Sequence, residues 1–171
     1  MQIQSVIDYV SQDWQLGPVH GIEHWRRVER NGLLLATEEV NIKVVRLFAY
    51  LHDHKRIDDG WDLEHGRRAA ENLDNLRHSL LSDLTEEEFS MLRRACLEHT
   101  VTQSTGIPTI DACFDADRLD LPRVGYIPDP LRMASQLGVA FARHKVVSLD
   151  CEITMEALAM VKNELLSTKI P

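Results

Sequence analysis

Thiols are scarce in this chain and form no motif: Cys96, Cys113 and Cys151 are its three cysteines, an odd total with no Cys-x-x-Cys spacing. A disulfide framework and a thiolate zinc clip both need paired, closely spaced cysteines, so reduced and partly buried thiols are expected instead. No stretch approaches the roughly 20 apolar residues of a membrane-spanning helix. Residues 1–13 alternate apolar and polar positions, without the basic start and apolar core of a signal peptide. These absences predict a cytoplasmic protein with no membrane partner. Positive charge is also in deficit, with 19 Lys and Arg against 27 Asp and Glu and a formal net charge of −8. No basic run or aromatic-interleaved stripe overrides that balance, which argues against a nucleic-acid polymer as partner. No segment alternates with period two and β-branched enrichment, and there is no repeat or low-complexity tract, so no sheet is predicted.

What the chain does have is helical periodicity. Its 171 residues, 44% hydrophobic and 27% charged, are the length and composition of one soluble domain, read here as 1–171. Ile3, Val6, Ile7 and Val10 recur at helical spacing, and the first helix is placed to end near Trp14, before Gly17-Pro18. A second helix is expected over 21–37, with Trp25, Val28, Leu33 and Leu35 as apolar positions. Asn41 caps a third, whose Ile42, Val44, Val45, Leu47, Phe48 and Leu51 are too dense for a solvent-facing element. After the turn Ile57-Asp58-Asp59-Gly60, a fourth helix runs over 65–77 with Ala69, Ala70, Leu73 and Leu76 inward. Thr85 and Glu88 make a capping box, opening a fifth helix that carries Phe89, Leu92 and Cys96 toward His99. Asp111 is expected to cap a helix bearing Asp117, another helix to run over 131–142, and a last one over 150–166 with Ile153, Ala157, Met160, Val161 and Leu165 as a core-facing stripe. The fold class that follows is all-α, a helical bundle of about seven to eight helices.

Histidines and aspartates punctuate these helices at particular places. His24, His52-Asp53, His65, His99 and Asp117 all lie on or beside helical segments in the first two thirds of the chain. Imidazole nitrogen with carboxylate oxygen suits a divalent Mn, Fe, Ni, Co or Zn ion, and the lack of thiolate points to a chemical role for the metal rather than a structural one.

The order His, then His-Asp, then Asp resembles the HD superfamily of metal-dependent phosphohydrolases. His24-Trp25-Arg26-Arg27-Val28 is similar to the first ligand motif of that family, His52-Asp53 closes the apolar run Leu47-Phe48-Ala49-Tyr50-Leu51 as the family doublet does, and Asp115-Ala116-Asp117-Arg118-Leu119-Asp120 resembles the last ligand motif. The resemblance covers roughly 19–121, leaving C-terminal helices over 129–168. Asp58-Asp59-Gly60, Glu64-His65-Gly66, Arg123-Val124-Gly125 and Pro128-Asp129-Pro130 also look like small stand-alone bacterial HD proteins. The resemblance implies an HD-type bundle in which His24, His52, Asp53 and Asp117 bind one ion, while His65 and His99 hold a second where the centre is dinuclear. In that case Asp53 is the bridging carboxylate. His99 is followed by Thr100 with no Gly-Tyr-Pro, so the cyclic-dinucleotide phosphodiesterases that carry that signature are disfavoured as functional relatives.

The activity so implied is hydrolysis of a small phosphoester or nucleotide by metal-activated water. Glu64, Asp58 and Asp120 are the candidate carboxylates for orienting that water, and Arg56 is the first candidate for binding the substrate phosphate, ahead of Lys55, Arg27 and Arg118. His20 lies one turn before His24 and is a further substrate-facing candidate. Two other activities use the same kind of cage. An HD-type di-iron oxygenase has the same ligand types, and a non-catalytic HD module would bind a nucleotide without turnover.

Overall fold

The computed structural model of the chain describes residues 3–145, 159–161, 163 and 165. Every regular element among them is helical: α1 Ile3–Gln12, α2 Ile22–Leu34, α3 Ile42–Leu51, α4 His65–Leu76, α5 Glu86–Glu98, α6 Pro108–Arg118 and α7 Gln136–His144. Short 3-10 turns occupy Leu121–Val124 and Pro130–Arg132, and the described residues after 158 are also helical. The all-α expectation is met.

The third helix is the axis of the bundle, packing on α1, α2, α5 and α6 at once. That surrounding explains its sequence: from Val44 to Leu51 only Arg46 escapes burial, and an element wrapped on most sides must be apolar nearly all round. Its start is fixed by Asn41, whose side chain accepts from the amides of Lys43 and Val44. Helix α5 begins in the expected capping box between Thr85 and Glu88, with three glutamates in the first turn at the positive end of the dipole. Trp25 of α2, Phe48 of α3, Phe114 of α6 and Phe141 of α7 are the bulkiest fully buried side chains among the described residues.

Several local expectations need correction. Helix α1 stops at Gln12, and Trp14 instead folds back, its indole donating to the Gly17 carbonyl and its ring meeting Trp25 edge-on. Helix α2 ends at Leu34 and leaves Leu33 on the solvent side, because the chain turns there to bury Leu35 and Val40. Ile42, at the exposed start of α3, is also half in water.

Asp111 is not an N-cap: α6 starts earlier, at Pro108, where the missing N–H costs nothing. The Asp111 carboxylate ties down the preceding loop instead, accepting from the Thr105 and Gly106 amides and from the Ser104 hydroxyl. The helix expected over 131–142 is split. Buried Asp115 draws the Ala134 and Ser135 amides to itself at 2.7 and 2.8 Å, which breaks the chain after its 3-10 turn and lets Ser135 cap a fresh helix, α7. Of the last apolar stripe, Val161 is buried and Leu165 packs on the core, while Met160 faces solvent. Cys151, Ile153 and Ala157 lie outside the described residues.

Candidate metal centre

Helix ends converge at one place. His52 is the C-cap of α3 with Asp53 next to it, His99 is the C-cap of α5, and Asp117 is in the last turn of α6. His24 comes from the first turn of α2, and His65 is the first residue of α4. Three helix C-termini, each carrying partial negative charge, therefore face the same small volume, an arrangement that favours a cation. All four histidines and Asp53 are almost wholly buried.

The histidines are oriented by what their Nδ1 atoms meet. His52 Nδ1 lies 3.1 Å from the Phe48 and Ala49 carbonyls, His99 Nδ1 lies 2.8 Å from the Cys96 carbonyl, and His65 Nδ1 is against the Asp62 carbonyl. His24 Nδ1 lies 2.7 Å from the Asp120 carboxylate. Each of these acceptors requires a proton on Nδ1, which leaves Nε2 as a bare lone pair in the neutral ring. Those lone pairs point at one another. His24 Nε2 and His52 Nε2 are 3.1 Å apart, and His65 Nε2 and His99 Nε2 are 2.9 Å apart. Two imidazole lone pairs at that distance repel unless a cation lies between them or one ring gains a proton. Bonding the far nitrogen to a fixed acceptor is also how proteins orient histidine toward a metal.

Asp53 divides its carboxylate between the two pairs. Its Oδ2 is 3.5 Å from both His24 Nε2 and His52 Nε2, while its Oδ1 is 3.1 Å from His65 Nε2 and 3.8 Å from His99 Nε2. Asp117 Oδ1 completes the first group at 3.5 Å from His24 and 3.8 Å from His52. Metal–ligand bonds of ~2.1 Å place donor atoms roughly 3.0–3.5 Å apart around one ion, so these spacings fit. Asp117 Oδ1 is moreover a buried oxygen with no hydrogen-bond partner among the described residues, an expensive state that coordination would relieve. The combinations His24–His52–Asp53, His52–His99–Asp117 and Asp53–His65–His99 can each hold a metal ion.

Electrostatics follow from this crowding. Burial holds the His52 imidazolium down to a pKa of about 3, so the ring stays neutral. Burial also opposes charge on His24 and His65, but the carboxylates beside them, Asp120 and Asp53 for His24 and Asp53 for His65, win and raise both above the usual histidine value. Desolvation would lift the Asp53 carboxyl, yet His52, His24, His65 and His99 around it hold it well below the ordinary carboxylate range. Asp117 is likewise lowered against the penalty of burial, chiefly by Arg123 and then by His52 and His24.

The remaining candidates divide by position. Arg56 is at the cluster, its Nη1 3.5 Å from Asp53 Oδ1 and 3.2 Å from His65 Nδ1, with Nη2 donating to the Gly60 carbonyl. His20 is adjacent, its ring edge-on to His24 and its Nδ1 3.0 Å from Asp59. Asp120 stands behind His24, held in a two-pronged ion pair by Arg27, so both side chains orient the ligand from the far side. Arg118 straps loops together through the Gln103, Arg132 and Thr102 carbonyls. Lys55 lies over the Tyr9 ring, Glu64 pairs with Arg67 on the surface, and Asp58 closes its own turn through the Gly60 amide.

Arg123 was not among the residues expected at the site. Its side chain is only 8% exposed and approaches Asp117 Oδ1 at 3.7 Å, and its Nε is buried without a partner among the described residues. The chain reaches it through the 3-10 turn at Pro122, so no helical spacing from Asp117 signals the approach.

The fold and the cluster define an all-α protein with buried His/Asp groups able to hold metal. No family model, curated protein or solved structure matches the chain. No described helix is long and apolar enough to cross a membrane.

Proposed function

We propose that this chain is a cytoplasmic metal-dependent phosphohydrolase of the HD type, acting on a small phosphoester or nucleotide, in which Asp53 and the two histidine pairs would hold two divalent ions. The observation that carries the reading is the meeting of two pairs of Nε2 lone pairs across a single carboxylate, at 3.1 and 2.9 Å. A structural zinc site would be closed by four ligands and commonly by thiolates, whereas this cluster uses oxygen and imidazole only and leaves a cleft beside His99.

Divalent ions, when bound, lower the pKa of water and polarise a phosphoryl oxygen, which suits hydrolysis. The chain's own residues supply the rest. His24, His52, Asp53 and Asp117 would hold one ion; Asp53, His65 and His99 would hold the other. The two ionised carboxylates offset part of the cationic charge. Arg56 flanks the second group and Arg123 the first, so guanidinium donors stand on both sides for phosphate oxygens. Asp120 and Arg27 keep the His24 ring turned toward the centre.

Metal analysis of protein prepared without chelator, with a phosphoester and nucleotide panel under Mn, Co, Ni and Mg, tests this. Two ions per chain and phosphate release that stops on chelation are expected. Two irons with oxygen uptake and no hydrolysis would replace the reading with the oxygenase. Nucleotide binding without turnover under every metal would leave a binding module.

A further inference from the structure

The chain has three Trp, three Tyr and four Phe, and almost all are buried or half-buried. Only Trp61, 90% exposed, and Tyr126, 65% exposed, stand mostly in water. Both line the same cleft, of about 730 Å³, and so does His99. The cleft therefore runs from the two exposed rings to the candidate metal centre. Its volume is that of a small-molecule site. Another cavity, about 660 Å³ beside the start of α7, includes none of the cluster residues.

Trp61 is exposed on a braced turn. On one side the Gly60 amide donates to Asp58 and the Gly60 carbonyl accepts from Arg56. On the other, Asp62 accepts from the Ile57 amide at 2.9 Å and pairs with Arg68. The Arg56 guanidinium that holds this turn also touches Asp53 and His65, so the indole is carried by the same side chain that flanks the centre. Tyr126 is placed as firmly, following left-handed Gly125 (φ 83°) and bonding the Leu121 carbonyl at 3.3 Å. Holding two large rings in water on ordered turns costs hydrophobic free energy in the free protein, a cost that a stacked ligand recovers. The cleft lining also includes Val101 and Ile127, Thr100, Thr102 and Gln103, and the exposed Arg132.

We infer that Trp61 and Tyr126 bind a planar aromatic ring of the substrate, so that the substrate is a ring-bearing phosphoester whose phosphate reaches the centre past His99. The inference rests on the phosphohydrolase reading for the phosphate, while the ring site rests on the cleft alone. Adenosine monophosphate and ribose 5-phosphate share the phosphoribose and differ at C1′, adenine in one and a hydroxyl in the other, and make the discriminating pair.

Calorimetric titration of both into the Mn-loaded full chain is expected to give binding on the order of tenfold or more tighter for the nucleotide. Trp61→Ala and Tyr126→Ala should each erase most of that advantage and leave ribose 5-phosphate binding unchanged. Both side chains are exposed, so neither variant endangers the fold. Acrylamide quenching of tryptophan emission, which reports chiefly on Trp61 because Trp25 is buried and Trp14 partly so, should fall when the nucleotide is added. Where the esters bind, equal affinities for the two, or quenching indifferent to the bound nucleotide, would overturn the ring site. So would a concentration-dependent dimer that shields Trp61 by itself, since a second copy would then occupy the cleft. Adenosine separates the two levels of the argument. If neither ester binds yet adenosine shields Trp61, the ring site stands and the phosphohydrolase reading fails; if adenosine also leaves Trp61 open, the ring site is wrong.

Discussion

His65 and His99, 34 residues apart in the chain, face each other Nε2 to Nε2 at 2.9 Å. What permits the approach is Gly66. A Cβ at that position would sit 2.6 Å from the Cys96 carbonyl oxygen and 3.2 Å from His99 Cε1, so α4 and α5 could not come this close with any other residue. Gly66→Ala should therefore push the two histidines apart, at a cost of roughly 1–3 kcal/mol for overpacking. Metal analysis is expected to show one ion retained by the His24 and His52 side and the other lost. Retention of both ions at wild-type affinity would show that the helices yield without separating the pair.

Asp53 serves both histidine pairs, Oδ2 facing His24 and His52 and Oδ1 facing His65 and His99. Asp53→Asn keeps the shape but removes the charge and one oxygen. Both ions should be lost in metal analysis, with turnover of a phosphoester abolished, whereas His99→Ala should cost only one ion. Circular dichroism would check that each variant stays helical.

Asp120 is expected to act on the metal only through His24. Asp120→Asn leaves His24 Nδ1 without its carboxylate and Arg27 without its partner, so metal affinity should fall about 10- to 100-fold in a folded protein. Calorimetric titration with Mn measures it. An unchanged affinity would remove Asp120 from the orienting role.

Chelation should destabilise the protein as well as silence it. If metal stands at about 100 times its dissociation constant at each site, its removal costs ~2.7 kcal/mol per ion, or a fall in Tm on the order of 5–10 °C per ion for a chain of this size. Thermal scans with and without chelator would read that difference.

The metal-free and metal-bound proteins should respond oppositely to pH. His24 and His65 have raised folded values, so their protonated forms add stability to the metal-free protein. That stability is complete below the unfolded value of about 6.5 and disappears as pH climbs through the raised values. Metal requires the neutral rings, so its affinity should grow over the same window, by up to about tenfold per pH unit for each proton displaced. His52 is neutral in both states above about 6.5 and adds nothing in that window, but below it the buried ring must stay neutral while the unfolded ring protonates, so it costs the metal-free protein stability as pH falls. Chemical unfolding of the metal-free chain and Mn titration at matched pH values test the pair of slopes.

Much of the arrangement is legible in the chain. Helical spacing, the Asn41 cap and the Thr85–Glu88 box act over a few residues, so α3 and α5 begin where local chemistry says they should. The elements that differ are those shaped by distant partners. Asp115 breaks the helix expected over 131–142 by taking amides 19 and 20 residues away, and Asp111 captures a loop instead of capping its own helix. Arg123 escaped notice for the same reason, since a 3-10 turn rather than a helical repeat brings it to Asp117.

By itself the amino-acid order determined the all-α class and the kinds of ligand atom available, because backbone propensity and metal preference are properties of individual side chains and their near neighbours. Packing alone decided that His24 and His52, 28 residues apart, share one oxygen of Asp53 while His65 and His99 share the other, and that Asp120, 96 residues from His24, stands behind it. Coordination depends on ångström-scale separations between side chains on different helices, and those separations exist only once the buried faces of α2 to α6 have closed around α3.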